Sequence, residues 1–469
     1  MTTITIVGAG FSGTLTAIHL LRRARFPLQI KLVEKAPSHI GRGTAYSATV
    51  PCQLLNVPAG NMSAFPDEPA DFLNWARADG HWKDFAPWVT ELSASTFLPR
   101  ALYGRYLSDL LKRAQENATS AGHRLEIIND EIIDLDCHVN HVILTSAQNG
   151  SWKSDACVLA LGNFPPQPPV EYRIAVGDSV RYHFSPWAPD VLPTLASSAS
   201  CLFIGSGLTM LDQVTALYDQ GYQGRIHVVS RRGFMPKEHI VRRPAQTAYS
   251  PPIPTDLRNL VRWVRTHIER EEEAGGNWRS VIDSLRPETA ALWQGLGQRD
   301  QKRFLQHVRP YWENHRHRTA PPVLAVFQKM IASGQLTQHR ARIENTSIDP
   351  KDGVCVTLRK RDGTLQTVTV DHVVNCTGAE SNFKSLRDPL TSRLLAKGSV
   401  SVDPLGLGLA TTASGQLIGP HGHGSKRLYT LGPPMKGRLW ETTAVPELRV
   451  QAQHLAMHLI ASNTQELPD

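Results

Sequence analysis

A short strand, a glycine-rich turn and a helix follow one another twice in this chain, with the first glycine of each turn at positions 8 and 205. In the first copy Thr3–Val7 reads as a buried strand. Gly8-Ala9-Gly10-Phe11-Ser12-Gly13 follows at once, and then Leu15, Ile18 and Leu21 fall at helical spacing. Gly8 permits the tight turn, Gly10 lets the backbone approach a pyrophosphate, and Gly13 lets helix and strand pack closely. The helix N-terminus offers free N–H groups to the anion. A second strand, Gln29–Val33, leads to Glu34, 26 positions after the first glycine, where a carboxylate can grip the ribose hydroxyls of an adenosine.

The second copy runs from the strand Cys201–Ile204 through Gly205-Ser206-Gly207-Leu208-Thr209-Met210 into a helical face carrying Leu211, Val214 and Tyr218. Met210 stands where the third glycine would be, which predicts a looser helix–strand contact. The strand Arg225–Val229 then delivers Ser230-Arg231-Arg232, and Arg231 is again 26 positions after the first glycine. By sequence count Arg231 therefore fills the slot of Glu34. A carboxylate repels a 2′-phosphate whereas guanidinium groups pair with it, so Arg231 and Arg232 predict NADPH for the second cradle. Each half continues into a β-meander, expected over His123–Leu144 and Leu336–Val370, and then into a strand ending in glycine, at Gly162 and Gly378.

The 469 residues carry a net charge of +8, with 41% hydrophobic residues, enough for real cores and consistent with anionic ligands. No apolar stretch approaches the roughly 20 residues of a membrane span. Six scattered cysteines include no C-x-x-C pair, which speaks against a disulfide scaffold, a zinc site or a dithiol redox centre, and reduced cytoplasmic thiols are expected. The first residues enter a strand directly, without a secretory signal pattern. Between the second cradle and the second meander a helical insertion is expected at about 240–330. It opens with the loop Tyr249–Pro254 and includes a helix with Leu257, Leu260, Val261, Val264 and Ile268 on one face. The run Arg309–Arg318 reads as a solvated face or as a pocket wall; a nucleic-acid groove is the weaker reading. His315 and His317 do not face one another on a helix, which disfavours a metal. Asp283, Arg286 and Arg100 fit buried polar links or surface pairs.

The two cradles resemble those of the two-dinucleotide flavoproteins, with FAD in the first and NADPH in the second. More narrowly, Gly41–Tyr46, Leu54–Pro66, Pro99–Tyr106, Ser230–Gly233 and Trp440–Pro446 resemble a bacterial FAD/NAD(P)-binding family. That resemblance implies an α/β fold of two Rossmann-like domains with β-meanders and the helical insertion. The parts would be residues 1–170 (FAD domain, first part), 171–370 (NADPH domain) and 371–469 (FAD domain, second part). It implies FAD contacts from Gly8, Gly10, Phe11, Ser12, Gly13, Glu34, Lys35, Gly43, Thr44, Asn56, Met62, Gly162, Gly432, Thr442 and Thr443. NADPH contacts would come from Gly205, Ser206, Gly207, Leu208, Thr209, Arg231 and Arg232. Thr442 and Thr443 are expected to open the final helix beside the ring, or simply to cap it. The larger class carries a Gly-Asp pair where Gly432 is followed here by Pro433. His183-Phe184-Ser185-Pro186-Trp187 keeps the end of a monooxygenase fingerprint, although Gly177 and Ser179 are out of step with it; a structural linker is the other reading.

The implied function is an oxidoreductase, foremost a monooxygenase that hydroxylates a small nitrogen-containing or aromatic substrate with O2 through a peroxyflavin. No protein nucleophile is required for that, and no Ser/His/Asp or paired-carboxylate constellation stands out. The alternatives are an NADPH dehydrogenase passing electrons to a quinone or protein, and a non-enzymatic redox sensor. The expected partners are a small-molecule substrate and O2, with neither nucleic acid nor membrane.

Overall fold

The computed structural model describes every residue except Thr49, Asp79, 168–179, 241–248, 252–255, 350–352 and 465–469. Gly177, Ser179, Asp352 and part of the Tyr249–Pro254 loop therefore lie outside the described residues, as does the boundary expected at residue 170. Strand β1 (Thr2–Val7) runs into helix α1 (Phe11–Arg23), which returns to β2 (Leu28–Glu34), parallel to β1. Helices α2 (Gly43–Tyr46), α3 (Asp71–Ala78) and α4 (Arg100–Ser120) follow. β3 (Arg124–Asn129) then pairs in parallel with β2. The meander is formed by β4 (Ile132–Cys137), β5 (Val142–Ser146) and β6 (Ser151–Ser154), so the expected span His123–Leu144 is corrected. Its first strand is claimed by the parallel sheet because Leu125 and Ile127 continue the apolar layer of β2. β7 (Ala156–Leu159) then closes on the other side of β1.

The second unit repeats the plan. β8 (Tyr182–His183) and α5 (Val191–Ala196) precede β9 (Ser200–Ile204), α6 (Leu208–Asp219) and β10 (Arg225–Ser230). The helical block comprises α7 (Leu257–Glu273), α8 (Trp278–Ser284), α9 (Thr289–Gly295) and α10 (Gln298–Arg303), a π-helical turn Phe304–Val308, and α11 (Arg309–Arg316). α12 (Pro321–Ala332) is not part of that block. Val323, Phe327 and Met330 enter the core beneath α6, so the insertion ends before Pro321 rather than at about 330. β11 (Leu336–Asp349) begins parallel to β10 and ends antiparallel to β12 (Gly353–Lys360), which pairs with β13 (Leu365–Val370). β14 (His372–Asn375) lies between β9 and β8. The second unit thus extends past residue 370.

The chain then returns to the first unit through α13 (Pro389–Ala396), β15 (Gln416–Ile418), β16 (Gly424–Thr430), α14 (Lys436–Leu439) and α15 (Val445–Thr464). The two sheets are ordered β15-β16-β7-β1-β2-β3 and β13-β12-β11-β10-β9-β14-β8. β1 and β9, the strands that carry the glycine turns, sit centrally in each. α1 is buried along most of its length, including Thr14, Thr16 and His19, because the sheet covers one side and α15 and α4 the other. Thr14 and Thr16 direct their hydroxyls back to the carbonyls of Ala9 and Ser12, which removes the cost of burying them. The two connecting segments run side by side, with the Glu380 N–H donating to the Phe164 carbonyl at 3.1 Å.

Polar contacts outside the helical block join the units at three further places among the described residues. Arg100, at the start of α4, reaches Asp212 on α6 at 3.0 Å, with both side chains largely out of solvent. The Trp88 indole donates to Asp219 at 2.8 Å, and the His239 ring donates Nε2–H to the Asn56 carbonyl at 3.0 Å. Burial pushes the Asp212 carboxyl up to about 6 against the opposing pull of Arg100. Burial, reinforced by Arg318, lowers His239 to about 4.

Removing the carboxylate while leaving Arg100 buried should cost about 3–5 kcal/mol; urea unfolding of Asp212→Ala checks this. A histidine depressed on folding contributes stability that is complete above its unfolded value of 6.5 and lost as pH falls towards about 4. Relative to His239→Gln, which keeps a donor without titrating, the native protein should lose stability across that window. Asp212 acts in the opposite direction in both proteins and cancels from the difference.

Candidate functional site

The two glycine turns are near copies in space. Gly8 has φ +101° and Gly205 φ +104°, and a Cβ on either would stand 2.4 Å from a neighbouring carbonyl, of Ala160 and Cys376 respectively. Gly8 N–H donates to the Val33 carbonyl and Gly205 N–H to the Val229 carbonyl, both at 2.8 Å. α1 and α6 begin after Gly10 and Gly207, without side-chain caps and with no acidic residue in the first turn. Their leading N–H groups are therefore open to an anion. Cβ atoms on Gly207, Gly162 and Gly378 would meet nothing within 4 Å, so the cradle and the adjacent strand ends leave open space.

The third glycine behaves as its chemistry demands in one unit and is replaced in the other. A Cβ on Gly13 would lie 1.9 Å from the Gly8 carbonyl oxygen. Met210 is fully buried among Leu211, Val214 and Cys376, so a packed side chain occupies the contact that was expected to be loose.

The backbone bonds also correct the position of the charged tip. Val33 and Val229 are equivalent by their bonds to Gly8 and Gly205, so Ser230, not Arg231, stands in the slot of Glu34. The path from the first glycine to that slot is one residue shorter in the second unit, which a count of 26 in both cannot reveal. Glu34 accepts from the N–H groups of Ala9 at 3.0 Å and Ala36 at 3.1 Å, and each carboxylate oxygen keeps acceptor capacity for a hydroxyl. Lys35, the equivalent of Arg231, is exposed and paired with Glu131. Ser230 accepts from the Gly233 N–H at 3.1 Å and shapes the turn that carries Arg231 and Arg232.

Arg340, which sequence reasoning missed, joins them: it lies opposite Ser230 on β11, and its side chain packs at Gly233. Only the long-range parallel register brings it there. Arg231, Arg232 and Arg340 form no ion pair among the described residues.

The remaining residues expected near the first cradle are brought together unevenly. Gly43 sits against Gly10, and the Gly41 N–H donates to the Ala9 carbonyl at 2.8 Å, which seats the Gly41–Tyr46 loop on the turn. Thr44 is exposed, Met62 is buried in the core and Asn56 is half-buried. Gly432 approaches Ser12, and its N–H donates to Gln451 on α15. Gln451 also bonds to Thr442, which is fully buried, whereas Thr443 is exposed. α15 begins at Val445, so neither threonine caps it: Thr442 is held by a side chain two turns along the helix. His183 lies on edge strand β8 and contacts His372 at 3.2 Å, which is the structural reading of that segment.

The helical block is fastened to the segment preceding α15. Arg286 makes a forked pair with Glu447 at 2.6 and 3.0 Å, and the Trp312 indole donates to Glu441 at 2.8 Å. Trp293 donates to the Gly437 carbonyl at 2.8 Å. Burial alone would raise the Glu441 carboxyl, but His317, Arg316 and the Trp312 bond hold it low and ionised. Arg316 and Arg318 are buried, the latter paired with Asp283, while Tyr311 is exposed and the rest of the run Arg309–Arg318 half-buried, so the run has one interior and one solvated side. No metal-binding cluster occurs among the described residues. No helix among them is long and apolar enough to cross a membrane.

Residues 5–164 match the family model described as FAD-NAD(P)-binding. This region is an FAD/NAD(P)-binding domain. No curated protein matches the chain by sequence. Among solved structures, the whole fold resembles reduced ornithine hydroxylase from Pseudomonas aeruginosa, with a TM-score of 0.65 at 17% identity over 99% of this chain and 100% of that one. An ornithine N-hydroxylase from Kutzneria, solved with reduced FAD, NADP+ and L-ornithine, gives 0.62 at 14% identity over 98% and 99%. The FAD-bound cadaverine monooxygenase of Erwinia amylovora gives 0.63 at 12% over 97% and 94%. These likenesses establish the α/β architecture of two Rossmann-like units around the FAD/NAD(P)-binding domain.

A polar depression of about 550 Å³ lies at Ser198, Gly221 and Arg225, at the opposite strand ends from the glycine turn. Ligands of such sheets bind at the carboxyl ends, so the cradles and not this depression form the candidate site.

Charged hydrogen bonds to a phosphate are worth about 1.5–3 kcal/mol, equivalent to about tenfold or more in affinity. Arg231→Ala with Arg232→Ala should weaken NADPH by at least that factor and leave NADH nearly unchanged, and adding Arg340→Ala should weaken NADPH further. Titrations with both nucleotides check this.

Proposed function

We propose that the protein is an FAD-dependent, NADPH-using monooxygenase acting on a small nitrogen-containing or aromatic substrate, with O2 as co-substrate. The observation that carries this reading is the pair of glycine cradles with matching φ and backbone bonds but opposite charges beside them, a carboxylate at Glu34 in one and three arginines without an ion pair among the described residues in the other. A resident flavin and a transient phosphorylated nicotinamide are the natural occupants. When bound, FAD supplies hydride acceptance and oxygen activation, chemistry that no side chain here needs to provide.

The chain's own residues would do the rest. The N–H groups at the start of α1, next to Gly10 and Ser12, would hold the FAD pyrophosphate, and Glu34 would hold its ribose. Those at the start of α6, with Ser206, Gly207, Leu208 and Thr209, would hold that of NADPH, and the arginines its 2′-phosphate. Gly43 closes over the first turn, while Thr442, fully buried, would hold Gln451 against Gly432 beside the cofactor. The helical block, pinned through Glu441 and Glu447, would exclude water from the space where substrate and cofactor meet. A cytoplasmic setting accords with six free thiols, four of them buried. The hydroxylating activities named for the ornithine and cadaverine enzymes that share the fold accord with this reading.

The purified protein should carry FAD that NADPH reduces without oxygen, and faster than NADH does. Readmitted air should restore the oxidised spectrum, and a true substrate should carry label from isotopic O2 while hydrogen peroxide release falls. Flavin reduction followed only by stoichiometric peroxide or by quinone reduction would overturn the monooxygenase reading in favour of a dehydrogenase.

A further inference from the structure

The helical block encloses a cavity of about 300 Å³ that neither cradle accounts for. Its walls are the apolar face of α7, with Leu260, Val261 and Val264, and the aromatic rings of Trp293, Phe304 and Trp440. At about 30 Å³ for each water in the liquid, the space suits a ligand of roughly ten non-hydrogen atoms. Leu260, Val261 and Val264 remain partly exposed and Tyr311 at the rim is 53% exposed, so the cavity opens to solvent instead of being sealed in the core.

The lining constrains an occupant. It contains no carboxylate among the described residues, and its basic members are Arg265 and His315. A flexible aliphatic diamine would enter as a dication and find no counter-charge there, at a large desolvation cost. Trp440 is 6% exposed, and its indole N–H is buried without a partner. That N–H has essentially no accessible surface, so it faces packed atoms and not the space a ligand would fill. Finally, Trp440 has φ +61°, outside the range comfortable for a bulky side chain, and is held there by Trp293 and Phe304 at ring distances of 5.1 Å.

A chain of contacts links the cavity wall to the first cradle. Trp440 lies two residues before Thr442, which Gln451 ties to Gly432 beside Ser12 of the first cradle. We infer that this cavity is the substrate pocket and that its aromatic-rich, carboxylate-free lining takes a neutral, ring-sized apolar ligand, and not a flexible diamine or diamino acid. This rests on the monooxygenase reading for the word substrate, and on the lining alone for the class of ligand.

Calorimetry on the FAD-loaded full chain can test it with three probes: acetophenone, ethylbenzene and pentane-1,5-diamine. Acetophenone and ethylbenzene should both bind saturably, and the diamine should not bind. Val264→Phe or Leu260→Phe, two independent fillings from a partly exposed helix face, should each weaken acetophenone by tenfold or more. Binding of the diamine as tight as that of acetophenone, or acetophenone affinity unchanged in both filled variants, would overturn the assignment. Because binding is read without turnover, saturable acetophenone binding to protein that NADPH never reduces would support the pocket while removing the monooxygenase reading.

Discussion

A glycine pressed against a neighbouring strand's carbonyl governs the geometry of both halves. Gly8 and Gly205 leave their strands at positive φ with the oxygens of Ala160 and Cys376 where a Cβ would be. That contact lets the chain turn immediately into a helix whose axis meets the sheet at its carboxyl end. The orphaned N–H groups of α1 and α6 consequently point into the same crevice as the ends of β7 and β14, where Gly162 and Gly378 leave room. Any larger residue at position 8 or 205 would push the strand apart from its partner before it touched a ligand. Sheet order, helix direction and anion site are thus one constraint stated three times.

A second dependence links the units. The second unit inserts its helical block between β10 and α12, but the block's strongest polar anchors lie in the first unit, at Gly437, Glu441 and Glu447. Arg100–Asp212 and His239–Asn56 cross the same boundary elsewhere. The segment Gly437–Glu447 therefore answers to both halves: it contacts the block on one side and, through Thr442 and Gln451, the first cradle on the other. The strained backbone of Trp440 falls within it, as expected where surrounding packing over-determines a residue.

Much of this was legible in the residues because it is local. Strand, glycine turn and helix are contiguous, so β1–α1 and β9–α6 could be read from periodicity and glycine spacing, as could Glu34. What could not be read depends on contacts between distant segments. Arg340 meets Arg231 and Arg232 only through the register of β11 on β10, and β3 left the meander because β2 offered a parallel partner. Thr442 looked like a helix cap because sequence shows its neighbours and not Gln451. The basic run at Arg309–Arg318 looked solvated because its counter-charges, Asp283, Glu441 and Glu447, lie far off along the chain. Met210 escaped in another way: sequence registers a missing glycine but not the core that absorbs the side chain.

The error over Arg231 is the most informative because the conclusion drawn from it is strengthened by its correction. Placing an arginine in the slot of Glu34 would have put a long cation where a ribose must fit. With Ser230 there instead, the slot is short and neutral, its hydroxyl is engaged by the Gly233 N–H, and the cations stand one and two residues farther out. A carboxylate at that depth selects hydroxyls by accepting from them. A serine at that depth would reject neither nucleotide, and discrimination would then fall to Arg231, Arg232 and Arg340 on the turn and strand beside it. Two units built on the same turn thus separate their ligands by one residue of chain length and the charge that this residue displaces outward.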